Sequence, residues 1–193
     1  MKKIIGIFVT ALSLFATSSQ AQIQKGNYLI GGDLASLHFG SGGYFNVDLQ
    51  PKIAWFIKDN LALGGYVKFD LTTSKDQSTT TIYGVGPLAR YYVNDPKTNV
   101  LKHGRLFFEG NVGIQGTNTH ETTRNGLGFG IGPGYAYFIT PNIGLETLLK
   151  YNGTVGFGNQ PYSSTVDLNF GFQIYLSRGK VRDVGNQINN EVK

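Results

Sequence analysis

VDLNFGFQIYL, residues Val166 to Leu176, decides how this chain is read. Val166, Leu168, Phe170, Phe172, Ile174 and Leu176 fall on one side of a period of two, and Asp167, Asn169, Gly171, Gln173 and Tyr175 on the other. On a helix the same residues would spread apolar and polar groups around the whole circumference. Only a strand sorts them.

The same alternation runs through Phe45–Ile57 and Leu61–Leu71. Five weaker stretches, 27–36, 81–93, 105–115, 126–139 and 143–152, complete a set of about eight expected strands. Lys58-Asp59-Asn60 and Thr140-Pro141-Asn142 carry turn-forming residues and read as tight turns. Longer polar segments, 73–80, 116–125 and 158–163, read as loops at the opposite end. The first such loop, near 39–42, is short, and 94–103 is a long connection on the tight-turn side.

Composition agrees. The 193 residues include 27 Gly, 13 Phe and 11 Tyr but only 15% charged residues, which suits many short strands better than helices. The absence of cysteine excludes disulfides and thiolate metal sites. The formal charge of +5 includes Lys2 and Lys3, which begin a segment expected to be removed, so it argues little for nucleic acid. After those two lysines, residues 4–16 form an apolar run too short to span as an anchored helix, and Ser19-Gln20-Ala21 supplies small residues before Gln22. Residues 1–21 are therefore expected to be a signal peptide, residues 25–177 a barrel, and residues 178–193 a polar periplasmic tail. No later stretch offers a transmembrane helix. An exported chain of strands crosses a membrane in one way, as a closed antiparallel up-and-down barrel that leaves no backbone edge in lipid.

Three segments repeat a pattern: Pro51 to Ile57, Pro87 to Val93 and Pro133 to Ile139, each a proline followed four and five residues later by two aromatics. Each precedes a turn-end Asp or Asn. Trp55, Tyr91 and Tyr137 are expected at one height on the lipid face, as an aromatic girdle. Mid-strand proline forfeits a ladder hydrogen bond, and three in equal phase suggest β-bulges.

Alternation alone does not say which face is inside, and a soluble lipocalin-like carrier would turn the apolar face inward. The polar face of 126–134 is all glycine, which suits a narrow lumen where small residues admit large ones opposite. The aromatics also gather at strand ends of the apolar face. With that face toward lipid, Asp48, Lys52, Lys68, Asp70, Arg90, Glu109, Glu146 and Lys150 become a lumen charge network, joined by Asp33 and Asp167. Lys150 is expected opposite Gly132, Glu146 opposite Ala136, and Lys68 within reach of Asp48. Eight strands leave room for side chains and no continuous water channel. The charges therefore read as a polar plug, with a narrow ion path as the alternative.

Asn169, Gly171, Ile174 and Leu176 complete a motif that resembles the C-terminal signal read by the barrel assembly machinery. With the leader and the proline–aromatic repeats, residues 25–177 resemble the small outer-membrane β-barrel family of OmpX-like proteins and OmpA transmembrane domains. Unlike many relatives, the chain continues past the last strand instead of ending on an aromatic. The resemblance implies outer-membrane location, insertion by that machinery, contact with membrane lipid and lipopolysaccharide, and a structural or surface-interaction role such as envelope integrity or adhesion. A monomer is expected, with no nucleic-acid partner.

Some barrels of this size modify lipid A, and such chemistry needs a near-neutral base. Only His38, His103 and His120 qualify. His38 lies near Ser36 and Ser41, and His120 beside Thr119 and Glu121, but neither pattern defines a catalytic set. Gly128-x-Gly130-x-Gly132 lacks the strand–helix context of a dinucleotide loop, and no cluster has metal-ligand spacing. No catalytic residue, cofactor or metal is expected.

Overall fold

The computed structural model describes residues 23–40, 44–74, 77–93, 104–119, 123–157, 162–179 and 181; the expected signal peptide and nearly all of the polar tail lie outside them. Eight strands follow one another: β1 (Tyr28–Gly40), β2 (Tyr44–Lys58), β3 (Leu61–Ser74), β4 (Gln77–Tyr92), β5 (Gly104–Asn118), β6 (Thr123–Thr140), β7 (Ile143–Gly156) and β8 (Ser163–Leu176). Every neighbour pair is antiparallel, and β1 pairs with β8 to close the barrel. Closure removes the last sheet edge, so the backbone can sit in hydrocarbon.

The two tight turns are two residues each, Asp59-Asn60 and Pro141-Asn142, and Asn60 takes the left-handed φ of 66° that asparagine tolerates. At the other end the strands run further than alternation predicts. Ser74 pairs with Gln77, Asn118 with Thr123 and Thr154 with Ser163, so most of 73–80 and 116–125, read as loop, is ladder, and the last residue of 158–163 is paired as well. Both faces of those strand ends are polar or mixed, which erases the period-two signal while the backbone pairing continues.

The prolines do not sit at bulges. The β2–β3 ladder passes from Leu49↔Phe69 to Lys52↔Tyr66, the β4–β5 ladder from Val85↔Ile114 to Leu88↔Asn111, and the β6–β7 ladder from Ile131↔Tyr151 to Gly134↔Leu148, all in unchanged register. Each proline lacks one N–H toward one neighbour only, so one bond is lost and no residue is inserted. On the other side the pairs Gly32↔Pro51, Gly65↔Pro87 and Phe108↔Pro133 are intact. Carrying the register through the two later gaps puts Val112 opposite Pro87 and Leu149 opposite Pro133. A Cβ on Gly86 would collide with the Val112 carbonyl oxygen, and one on Gly132 with that of Leu149. Glycine before proline thus lets an α-carbon approach the carbonyl left without a donor. Gln50 precedes Pro51, so this device is built at two of the three sites. The register shifts lie elsewhere, at Leu34/Ser36, Phe56/Lys58, Thr72/Ser74 and Phe138/Thr140.

The faces sort as a membrane barrel requires. Val67, Val85, Ile131, Leu149, Val166, Leu168, Phe170 and their neighbours are exposed on the outer wall. Lys52, Arg90, Glu109, Glu146 and Lys150 are buried inside. This arrangement contradicts the lipocalin-like alternative, whose apolar face would point inward. The glycine face of β6 makes room: a Cβ on Gly134 would strike the Phe107 ring, and one on Gly130 would meet Lys150 Cε at 2.7 Å.

Leu149 and Leu168 are cross-strand partners at the level of Pro133, halfway up the wall. Leu168→Arg is expected to cost about 2–4 kcal/mol of folding free energy in lipid vesicles, measured by denaturant titration. The same substitution at Ser163, near the open end of β8, is expected to cost less than about 1 kcal/mol.

Candidate lumen site

The proline–aromatic repeats place two sets of rings at once. The first aromatic of each doublet points outward: Trp55, Tyr91 and Tyr137 are 47%, 51% and 40% exposed on the wall near the turn end. Parity sends the second inward. Phe56 and Tyr92 are fully buried, and Phe138 packs partly buried against them. With Phe107, Tyr175 and Leu29 they fill the turn end of the lumen. Sequence reading assigned the girdle positions and overlooked this inner layer, although the same alternation carries it.

Above the rings lies a six-charge cluster. Glu109 accepts from Lys52 Nζ at 3.0 Å, from Arg90 Nε at 3.0 Å and Nη2 at 2.6 Å, and from Lys150 Nζ at 3.1 Å. Arg90 Nη1 donates to both oxygens of Glu146, at 2.8 and 2.7 Å. Lys52 also donates to Asp33 at 2.8 Å. Tyr175 donates to Glu146 at 2.8 Å, and its hydroxyl lies 2.6 Å from that of Tyr92, which accepts from Arg90 Nη1 at 3.0 Å. The Arg90 guanidinium rests 4.1 Å from the centre of the Phe107 ring. Three cations meet three carboxylates, for a formal charge of zero. Full pairing is what permits such burial.

Of the residues named from sequence, Lys52, Arg90, Glu109, Glu146 and Lys150 come together here, with Asp33. Asp48, Lys68 and Asp70 do not join them. They form a separate group nearer the open end, where Lys68 lies 3.9 Å from Asp48 and both side chains are about one-fifth exposed. Asp48 and Asp70 are direct cross-strand partners, and Asp70 accepts from Asn46 at 2.9 Å. Asp167 accepts from Asn152 at 2.8 Å and from Thr165 at 2.9 Å. These groups border a cavity of about 260 Å³ whose lining includes none of the six core charges. Ala136 pairs with Glu146, and the β6–β7 register puts Gly132 across from Lys150.

In β8, Asn169 is buried in the lumen, Gly171 faces Asp33 of β1, and Ile174 and Leu176 lie half-buried on the outer wall. A second aromatic set, missed in the sequence, lies toward the open end. Tyr83 donates to Asn125 at 3.0 Å, and the Tyr151 and Tyr162 hydroxyls are 2.5 Å apart. Tyr83 and Tyr91 are eight residues apart on β4, as are Phe129 and Tyr137 on β6. That spacing is about 27 Å along a strand and about 20 Å along the membrane normal at the usual tilt. Two girdles frame an apolar band of bilayer dimensions. Their signal was the repeated eight-residue separation. Among the described residues no acidic or histidine cluster could hold a metal ion. His38 lies in β1, while His103 and His120 lie outside the described residues.

No family model matches the chain, and no curated protein sequence matches it. Among solved structures it is similar to Neisserial surface protein A, at 17% identity over 78% of this chain and 97% of that one, with a TM-score of 0.53. It is also similar to the N-terminal β-barrel domain of OprF from Pseudomonas aeruginosa, at 13% identity over 79% and 98% of the two chains and a TM-score of 0.48. Ail of Yersinia pestis aligns at 12% identity over 77% and 98%, with a TM-score of 0.44. The likeness to the first is one of fold.

Removing Arg90 would leave Glu146 buried without the cation that it pairs with. Arg90→Ala is expected to cost about 3–5 kcal/mol, whereas Lys68→Ala, at a longer, partly exposed contact bordering the cavity, should cost less than about 1 kcal/mol. Denaturant titration of both variants in vesicles checks the contrast, and equal costs would contradict it.

Proposed function

From a chain with the fold of the small eight-stranded outer-membrane barrels, we propose an integral outer-membrane protein with a closed lumen and a structural or surface-contact role, in envelope integrity, adhesion or contact with lipopolysaccharide. The observation that carries this reading is the fully paired six-charge cluster lying on a layer of buried rings. A conducting pore needs a file of mobile water, and ion pairs at 2.6–3.1 Å between side chains at most 2% exposed leave no room for one. The aromatic girdles and the apolar band between them support lipid as the surrounding solvent. With the tight turns periplasmic, as in bacterial barrels generally, the 116–125 hairpin reaches the cell surface. The strand β8 would be the segment read by the assembly machinery, and the barrel would act as a monomer. An enzymatic role in lipid modification would require a placed base; the core carboxylates Asp33, Glu109 and Glu146 are paired with cations, and Asp70 and Asp167 accept hydrogen bonds from Asn46 and Asn152.

Two measurements test this. Purified barrel in planar bilayers is expected to give no steady conductance; a steady current altered by Lys52→Gln or Glu109→Gln would overturn the closed lumen. The chain contains no cysteine, so Asn118→Cys provides a single label site. Intact cells are expected to react with an impermeant maleimide at that position. Labelling only after lysis would overturn the location or its orientation.

A further inference from the structure

Charge at the tight-turn end of the barrel is mostly basic. Among the described residues there, Lys25, Lys58, Arg105 and Arg178 are accompanied by a single acid, Asp59.

Part of the basic surplus is gathered into one arc of the rim. Gly26, two residues before β1, donates its N–H to the Phe56 carbonyl, and the Lys25 N–H binds Asp59 Oδ1 at 2.8 Å. The N-terminal segment is thereby fixed against the β2–β3 turn that carries Lys58. On the opposite flank, a Cβ at Gly26 would lie 3.8 Å from the Arg178 side chain, which follows β8. Lys25, Lys58 and Arg178 are all exposed. The single acid among them, Asp59, has one oxygen engaged by backbone. Directly above this arc the wall is apolar and aromatic: Tyr28 pairs with Trp55 on one side and with Leu176 on the other.

We infer that this arc is a docking site for anionic phospholipid headgroups of the adjoining leaflet. Three cations at the perimeter, just beyond the girdle, sit at the depth of lipid phosphates. Their long stems can follow the apolar wall while the charges meet the headgroups. A glycan partner would call for cations facing away from the wall, and Trp55, Tyr28 and Leu176 argue for lipid. The inference rests on the membrane reading above but not on which end faces the periplasm.

The test uses the full barrel in vesicles of phosphatidylcholine mixed with phosphatidylglycerol, carrying either lipid with a spin label on its chain. Insertion is verified by heat-dependent migration on gels. Electron paramagnetic resonance should show phosphatidylglycerol preferred at the barrel surface by about fivefold at low salt, the worth of one full cation–headgroup contact. The preference should fall toward unity as salt rises. The variant K25Q/K58Q/R178Q should insert normally and lose most of the preference, and K25R/K58R should keep it. A chain that inserts without anionic preference, or a triple variant that retains it, overturns this inference alone. A chain that fails to insert overturns the membrane reading with it. Salt-sensitive retention on purified sacculi, with no lipid preference, would assign the arc to peptidoglycan and equally overturn the proposal.

Discussion

Every backbone N–H and C=O of this wall must find its partner inside the wall, because hydrocarbon supplies none. The seam between β1 and β8 meets that demand over the span that it pairs, from Tyr28↔Leu176 to Leu34↔Phe170. Closure then fixes the remaining chemistry. Alternate residues must face lipid, and those between them must face a space too narrow for bulk water. The prolines show how strictly the ladder is kept: each forfeits one bond, none shifts the register, and glycine at 86 and 132 lets the backbone close on the carbonyls opposite Pro87 and Pro133.

The inner charges make sense within this constraint. A slip of one residue along a strand exchanges its two faces. If the lumen were as apolar as the wall, such a slip would cost little. With Lys52, Arg90, Glu109, Glu146 and Lys150 on the inner face, it would drive an unpaired charge into lipid. Buried ion pairs stabilise less than apolar packing would, so their contribution here is to specify register and sidedness. Beneath them, Phe56, Tyr92, Phe107 and Tyr175 supply the apolar packing that the charges do not.

Much of this was legible in the sequence, and the rest failed for physical reasons. The strands around Phe45–Ile57, Leu61–Leu71 and Val166–Leu176 announced themselves because one face meets lipid and the other does not. The far ends of β3 to β6 were read as loops because both their faces are polar or mixed, although Asn118↔Thr123 and Ser74↔Gln77 continue the ladder. Strand parity named the inward charges, and a turn length plus antiparallel register placed Glu146 opposite Ala136. Division into a buried cluster and an outer group was not legible, since it depends on how strands distant in sequence align around the barrel. Lys52 and Glu109 are 57 residues apart. The inner ring layer was legible and overlooked, because an aromatic doublet attracts attention to its lipid-facing member.

The chain's single tryptophan, Trp55, offers the most direct test of what surrounds the wall. Reconstituted into vesicles whose acyl chains carry bromine at graded depths, its fluorescence should be quenched most by the shallow bromines. In the variant W55F/L168W, the deep bromines should quench most. Indifference to bromine at every depth, with ready quenching by an aqueous agent, would show that these faces meet water and would contradict the account.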